Sequence, residues 1–106
     1  MSEFLDDYVA RFNEAVRSKD FSRLVDLYAE DGELVFVGVP AGPFRGREAI
    51  AAAYRAQPPD DEITVSEAHE EAGKVRCRFA WQRGDGGWMR IERGDDGVRR
   101  LTVTFD

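Results

Sequence analysis

The sequence predicts an α+β domain, with three helices first and a mostly antiparallel sheet after them. Apolar residues recur every three or four positions over residues 3–18 and 47–56, and alternate with polar ones from residue 62 onward. The turn-forming stretches "GDGG" and "GDDG" divide that second half into strands. With 106 residues, no internal repeat and no linker-like segment, residues 1–106 read as one domain that can bury a core without disulfides.

Phe4, Leu5, Tyr8, Val9, Phe12, Ala15 and Val16 draw one apolar stripe along a helix over residues 3–18, with Ser2 as its N-cap. A shorter helix follows "SKD", capped by Asp20 or Ser22, with Leu24, Val25, Leu27 and Tyr28 facing inward until "AEDGE" ends it. The valine-rich run from Leu34 to Val39 suits a strand buried on both faces. Ala49, Ile50, Ala53 and Tyr54 form the inner face of a third helix over residues 47–56, which "PPDD" stops. Ile63 and Val65 begin the alternating half, and Val75, Cys77, Phe79 and Trp81 make its clearest strand. Met89 and Ile91, then Leu101, Val103 and Phe105, complete an antiparallel meander.

Side-chain parity must match across the hairpins if one face is buried. A two-residue Asp85-Gly86 turn would set Trp81 opposite Arg90 and mix the faces. Three-residue loops with a glycine bulge at both turns instead set Phe79 beside Ile91 and Leu101, and Trp81 beside Met89 and Val103. One wall is then wholly apolar. The other face carries Arg78, Glu92 and Arg100 in one row, Ala80, Arg90 and Thr102 in the next, and Trp88 with Gln82 and Thr104 in a third. The Arg–Glu–Arg row accounts for the basic bias of this half as a cross-strand ladder. An outward Trp88 fits a subunit interface or a half-covered hairpin end. The expected partner is a second copy, a homodimer formed through Trp88, Arg90, Thr102 and Thr104.

The net charge is −6, and it is unevenly spread: 16 acids against 7 bases in residues 1–73, 5 against 8 in residues 74–106. An acidic chain without a basic groove is not built to bind nucleic acid, where phosphate neutralisation supplies most of the affinity. No run of 18 apolar residues points to a membrane, and the N-terminal "MSEFLDDYVARF" is acidic and amphipathic rather than a secretory signal. Cys77, the only cysteine, falls in a strand alternation and reads as a buried hydrophobe. These features place the expected protein in the cytoplasm.

"VPAGPFRGREAI", residues 39–50, has the glycines of a phosphate cradle but not its Gly-Lys-Ser/Thr ending, and Pro40 and Pro43 remove two N–H groups. It reads as the entry to the third helix, with Gly46 at the N-cap, Glu48 in the first turn, and Phe44 tucked beneath the sheet.

The order of elements, together with "DFSRLVDLYAEDGELVF" and "PFRGREAIAAAYR", resembles the SnoaL-like and ketosteroid isomerase-like branches of the nuclear transport factor 2-like superfamily. The resemblance covers almost the whole chain. It implies a cone-shaped, curved sheet wrapped around a pocket by three helices, on a scaffold that hosts isomerases, cyclases, hydrolases, dehydratases and non-catalytic binders alike. It also implies that the isomerases' oxyanion-hole tyrosine falls on Phe12 and their general base on Phe36. Their two supporting tyrosines match Tyr28 and Tyr54. The supports are kept and the reactive groups are absent, and enolisation needs both a positioned base and an oxyanion donor.

The expected function is therefore binding of a small apolar molecule in an aromatic pocket formed by Tyr8, Phe12, Tyr28, Phe36, Tyr54, Phe79, Trp81 and Met89. The first alternative is a divergent isomerase or cyclase using His69, Tyr28 or Tyr54 as acid or base, since the Ile63/Val65 parity points His69 inward. The second is a dimeric, non-catalytic module whose large side chains fill the cone. No three ligands assemble for a metal, and no cofactor is implied. Arg90 and Glu92, which resemble the Arg and Asp on a sheet strand of epoxide-hydrolysing relatives, turn outward in the favoured register. Glu30, Asp31 and Asp106 read as solvated acids.

Overall fold

The structure, a computed structural model, describes residues 3–106, so the N-cap expected at Ser2 lies outside the described residues. The elements are α1 (Glu3–Ser18), α2 (Ser22–Val25), β1 (Tyr28–Val37), β2 (Phe44–Arg45), α3 (Arg47–Ala56), β3 (Ile63–Glu71), β4 (Lys74–Trp81), β5 (Gly84–Gly94) and β6 (Gly97–Phe105). The six strands form one open sheet in the order β2-β1-β6-β5-β4-β3, antiparallel throughout except where β1 runs parallel to β6. No described helix is long and apolar enough to cross a membrane.

The α1 stripe is buried as its periodicity demands, through Leu5, Tyr8, Phe12, Ala15 and Val16. Asn13 ties this helix to the edge of the sheet. Its amide accepts the Ile63 N–H at 2.8 Å and donates to the Ile63 carbonyl at 3.0 Å, satisfying both backbone groups where β3 begins.

The second helix is shorter than expected. Asp20 accepts the Ser22 N–H at 3.0 Å, which holds its carboxyl below the usual aspartate range, but the helix ends at Val25 after one turn. Tyr28 already pairs with Val98, and the Val98 N–H donates to the Leu27 carbonyl at 2.8 Å. Pairing with the distant β6 thus captures the "YAE" segment as strand, overriding its local helical pattern. The β1 strand is also not buried on both faces. Leu34 is buried, but Val35 and Phe36 are half-covered and Val37 is exposed: Val35 and Val37 share the outer face with Thr102 and Thr104, and Phe36 lines an open cavity.

The third helix matches its expected bounds. Gly46 precedes it at φ +90°, and its N–H donates to the Gly32 carbonyl at 2.7 Å. The Arg47 guanidinium donates to the Tyr28 carbonyl at 2.8 Å, and the Phe44 ring meets Phe36 edge-on at 6.3 Å. The segment that resembled a phosphate loop is therefore the hinge that fastens α3 to β1.

The β5–β6 register is the expected one: Ile91 pairs with Leu101, Met89 with Val103, Glu92 with Arg100, Arg90 with Thr102 and Trp88 with Thr104. The β4–β5 register is not. Phe79 faces Gly87, Cys77 faces Met89, Val75 faces Ile91 and Trp81 faces Gly84, a slip of four residues that preserves parity and hence the apolar wall. The turn is Gln82-Arg83, and "GDGG" lies inside β5. The reason is steric: a Cβ on Gly86 would collide with the Phe79 carbonyl, and one on Gly87 with the Thr104 carbonyl. These glycines bend the sheet instead of turning the chain. The slip also puts Lys74, not Arg78, opposite Glu92, so the charge row runs Lys74, Glu92, Arg100, Glu33, Arg45, with Arg100 and Glu33 in contact at 3.0 Å.

Candidate functional site

The bent sheet and the helices enclose an open cavity of about 480 Å³, lined on the helical side by Tyr8, Phe12 and Tyr54 and on the sheet side by Phe36, Phe79, Trp81 and Met89. Its mouth is formed by Val39, Pro40, Ala41, Gln57, Pro59 and Phe105. The cone is thus not packed solid by its large side chains. Successive ring contacts carry an aromatic chain around it: Tyr8 to Phe12 at 6.3 Å, Phe12 to Trp81 at 6.2 Å, Trp81 to Phe79 at 5.6 Å, Phe79 to Phe105 at 6.2 Å and Phe105 to Phe36 at 6.0 Å. Edge-to-face and offset contacts of this kind fix ring orientation as well as burying area.

The polar groups converge on Tyr54. Its ring stacks on Phe21 at 5.0 Å with 3° between planes, which fixes where its hydroxyl points. The hydroxyls of Tyr8 and Tyr28 lie close enough to that of Tyr54 to act on its ionisation as hydrogen-bond donors. Burial pushes Tyr54 up to about 12, and it pushes Tyr8 and Tyr28 well above the ordinary phenol value, so all three are neutral donors near pH 7. Tyr28 is fully buried beneath the cavity rather than on its wall, and its hydroxyl makes no well-aligned hydrogen bond. The expectation that Tyr28 lines the pocket is corrected accordingly: it is buried in the core and absent from the lining. Tyr8, one turn before Phe12, supplies the first-helix phenol.

His69 is displaced altogether. A bulge between Ser66 and His69, with Glu67 at φ +51°, shifts the β3–β4 register by one residue, so His69 pairs with Arg76 and is exposed on the outer face. One inserted residue reverses the side of every side chain that follows, and the inward direction expected from Ile63 and Val65 does not hold. Arg90 is exposed on that same outer face. Asp106 bonds Arg78 at 2.6 Å. Cys77 is buried, and burial raises its thiol to about 11, so it is held as the thiol.

Trp88, Arg90, Thr102 and Thr104 share the outer face as expected, although Trp88 neighbours Arg78 rather than Gln82. Its ring lies under the guanidinium groups of Arg76 and Arg78, at 5.3 and 5.2 Å, which cover it in part. Among the described residues no three metal-ligating side chains converge.

The lining also includes residues absent from the expected pocket: Leu34, Ile63, Leu101 and Val103 from the apolar wall, and Gln57, Pro59, Phe105 and the Val39–Ala41 lip. Phe105 was signalled by its parity with Leu101 and Val103. Gln57 was signalled by standing three residues beyond Tyr54, one helical turn away.

The chemistry of this cavity is narrow. Among the described residues its lining contains no carboxylate, histidine, lysine or arginine. The polar side-chain groups it offers are the phenols of Tyr8 and Tyr54, the Gln57 amide and the Trp81 indole N–H.

The profile of the SnoaL-like domain matches residues 9–105. No curated protein is similar enough in sequence to match. Among solved structures, an NTF2-like protein of unknown function from Burkholderia pseudomallei superposes with a TM-score of 0.75 at 16% identity, covering 100% of this chain and 92% of that one. A candidate isomerase from Bacillus subtilis gives 0.75 at 18% identity, with 100% and 90% covered. A candidate ketosteroid isomerase from Kribbella flavida gives 0.70 at 16% identity, with 94% and 76% covered. At these identities the structures establish a common fold and nothing finer. A family match over nearly the whole length, on a three-helix, curved-sheet fold shared with solved NTF2-like structures, identifies the chain as a member of the SnoaL-like domain family.

Proposed function

We propose that this protein binds a flat, apolar small molecule in the cavity between its helices and its sheet. The observation that carries this is the lining: about 480 Å³ of aromatic and aliphatic surface with a few neutral hydrogen-bonding groups and no ionisable acid or base other than phenols. Cavities of roughly 300–1,000 Å³ with this balance suit small organic ligands. Apolar burial would supply the affinity, and the phenols of Tyr8 and Tyr54 would orient one polar atom of the ligand. Proton abstraction next to a carbonyl needs a base with a pKa near the working pH, and raised phenols do not provide one. The same features favour binding over turnover.

Calorimetric titration with 2-naphthol tests the reading. Saturable one-to-one binding with a negative heat-capacity change is expected, together with its loss in a Val103→Trp variant that fills the cavity while keeping the native circular dichroism. Equal affinity in the filled variant, or no saturable heat in the wild type, contradicts it.

A further inference from the structure

We infer that the cavity selects a flat ligand that carries two polar groups along one edge. This rests on the binding reading above and adds to it a statement about ligand shape. The polar side chains are not scattered around the cavity: Tyr54 lies in the last turn of α3, Gln57 is its C-cap residue, and Tyr8 stands beside Tyr54 from α1. Gln57 is the C-cap residue of α3, at φ −140° and ψ 75°, and its N–H donates to the Ala53 carbonyl at 3.0 Å. Tyr54 and Gln57 both line the cavity, so the C-terminal end of α3 brings a phenol and an amide to its helical side.

The opposite wall is different. Phe36, Phe79, Met89 and Phe105 bring no polar group, and the one the sheet side chains supply is the Trp81 indole N–H, at the end where Trp81 meets Phe12. A planar ligand lying against the sheet thus meets hydrogen-bonding partners on its helix-facing edge. The Tyr54 phenol donates to an acceptor there, and the Gln57 amide, which both donates and accepts, takes a second group one helical turn along. A molecule with its polar groups at diagonal ends must leave one of them against the rings of the sheet, where losing a hydrogen bond to water is unfavourable.

Two isomers of equal size separate these cases. In 2,7-dihydroxynaphthalene both hydroxyls lean to one edge, and in 2,6-dihydroxynaphthalene they lie diagonally. Calorimetry on the full chain should show the 2,7 isomer binding about three- to tenfold tighter, the range one hydrogen bond supplies. Gln57→Leu, at the exposed C-cap of α3, should abolish that preference while keeping the native circular dichroism. If 2-naphthol binds but the isomers are equal, the 2,6 isomer is preferred, or Gln57→Leu changes nothing, the edge inference is overturned and the binding reading stands. Preference for the 2,6 isomer would point to Trp81 as the second partner. If 2-naphthol itself does not bind, both fall.

Discussion

Phe79 stands opposite Gly87 across β4 and β5, and the missing side chain at Gly87 lets the β5 backbone lie close to that of Thr104 and Phe105 on β6 where the sheet bends. Above this point the Phe79 and Phe105 rings meet edge-on at 6.2 Å and form part of the cavity wall. The bend and the cavity have one cause. Gly87→Ala should therefore cost about 1–3 kcal/mol of stability as an overpacking change, where glycine-to-alanine at an unstrained site would add about 0.4–1 kcal/mol. Urea denaturation measures the difference. An unchanged or raised midpoint would mean that the strands have room there and that the bend has another origin.

The three tyrosines of the chain all lie in one buried cluster, so the folded protein should show no ordinary tyrosine titration. Their folded values are raised, to about 12 for Tyr54 and well above the ordinary value for Tyr8 and Tyr28. A raised phenol stabilises the fold fully below its unfolded value, about 10, and that stability is lost as pH climbs through the folded values. Phenolate absorbance at 295 nm should stay flat through pH 10 and then appear together with loss of structure. A smooth titration centred near 10 with the fold intact would show that the cluster is open to solvent.

His69 lies exposed on the outer face, so its removal should be silent. His69→Ala is expected to leave stability within about 0.5 kcal/mol and 2-naphthol affinity unchanged. Loss of binding in this variant would place the ligand on the wrong side of the sheet for our reading.

Self-association through the outer face is a proposal of a different kind. Arg76 and Arg90 face each other across β4 and β5, and Arg78 is paired with Asp106, so two such faces brought together would oppose like charges around Trp88. Salt screens such repulsion. Sedimentation should therefore show a dimer that strengthens with ionic strength and is lost in Trp88→Ala. A monomer at every salt concentration removes the proposal.

What the sequence revealed follows from how local each feature is. The α1 stripe, the Gly46–Glu48 start of α3 and the β5–β6 pairing depend on periodicity and helix-start signals within a few residues, and the structure has them where the pattern put them. Three features depend on partners distant in sequence. Tyr28 becomes strand because Val98 pairs with it. Gly86 and Gly87 sit inside β5 because neighbouring carbonyls leave no space for a Cβ. His69 turns outward because one extra residue near Glu67 reverses parity, and nothing in "VSEAHEE" announces a bulge. The wall residues Phe79, Trp81 and Met89 survived the four-residue register error because that error preserved parity.

The central claim is that the cavity between helices and sheet receives a flat apolar molecule, and Met89 reports on it directly. It is one of two methionines in the chain and lies on the sheet wall of the cavity. With methionine methyl groups labelled with carbon-13, titration with 2-naphthol should move the Met89 resonance by the ring current of the incoming ligand. The shift should saturate at one equivalent and disappear in Val103→Trp. A Met89 resonance that stays fixed, or drifts linearly without saturating, would contradict the account.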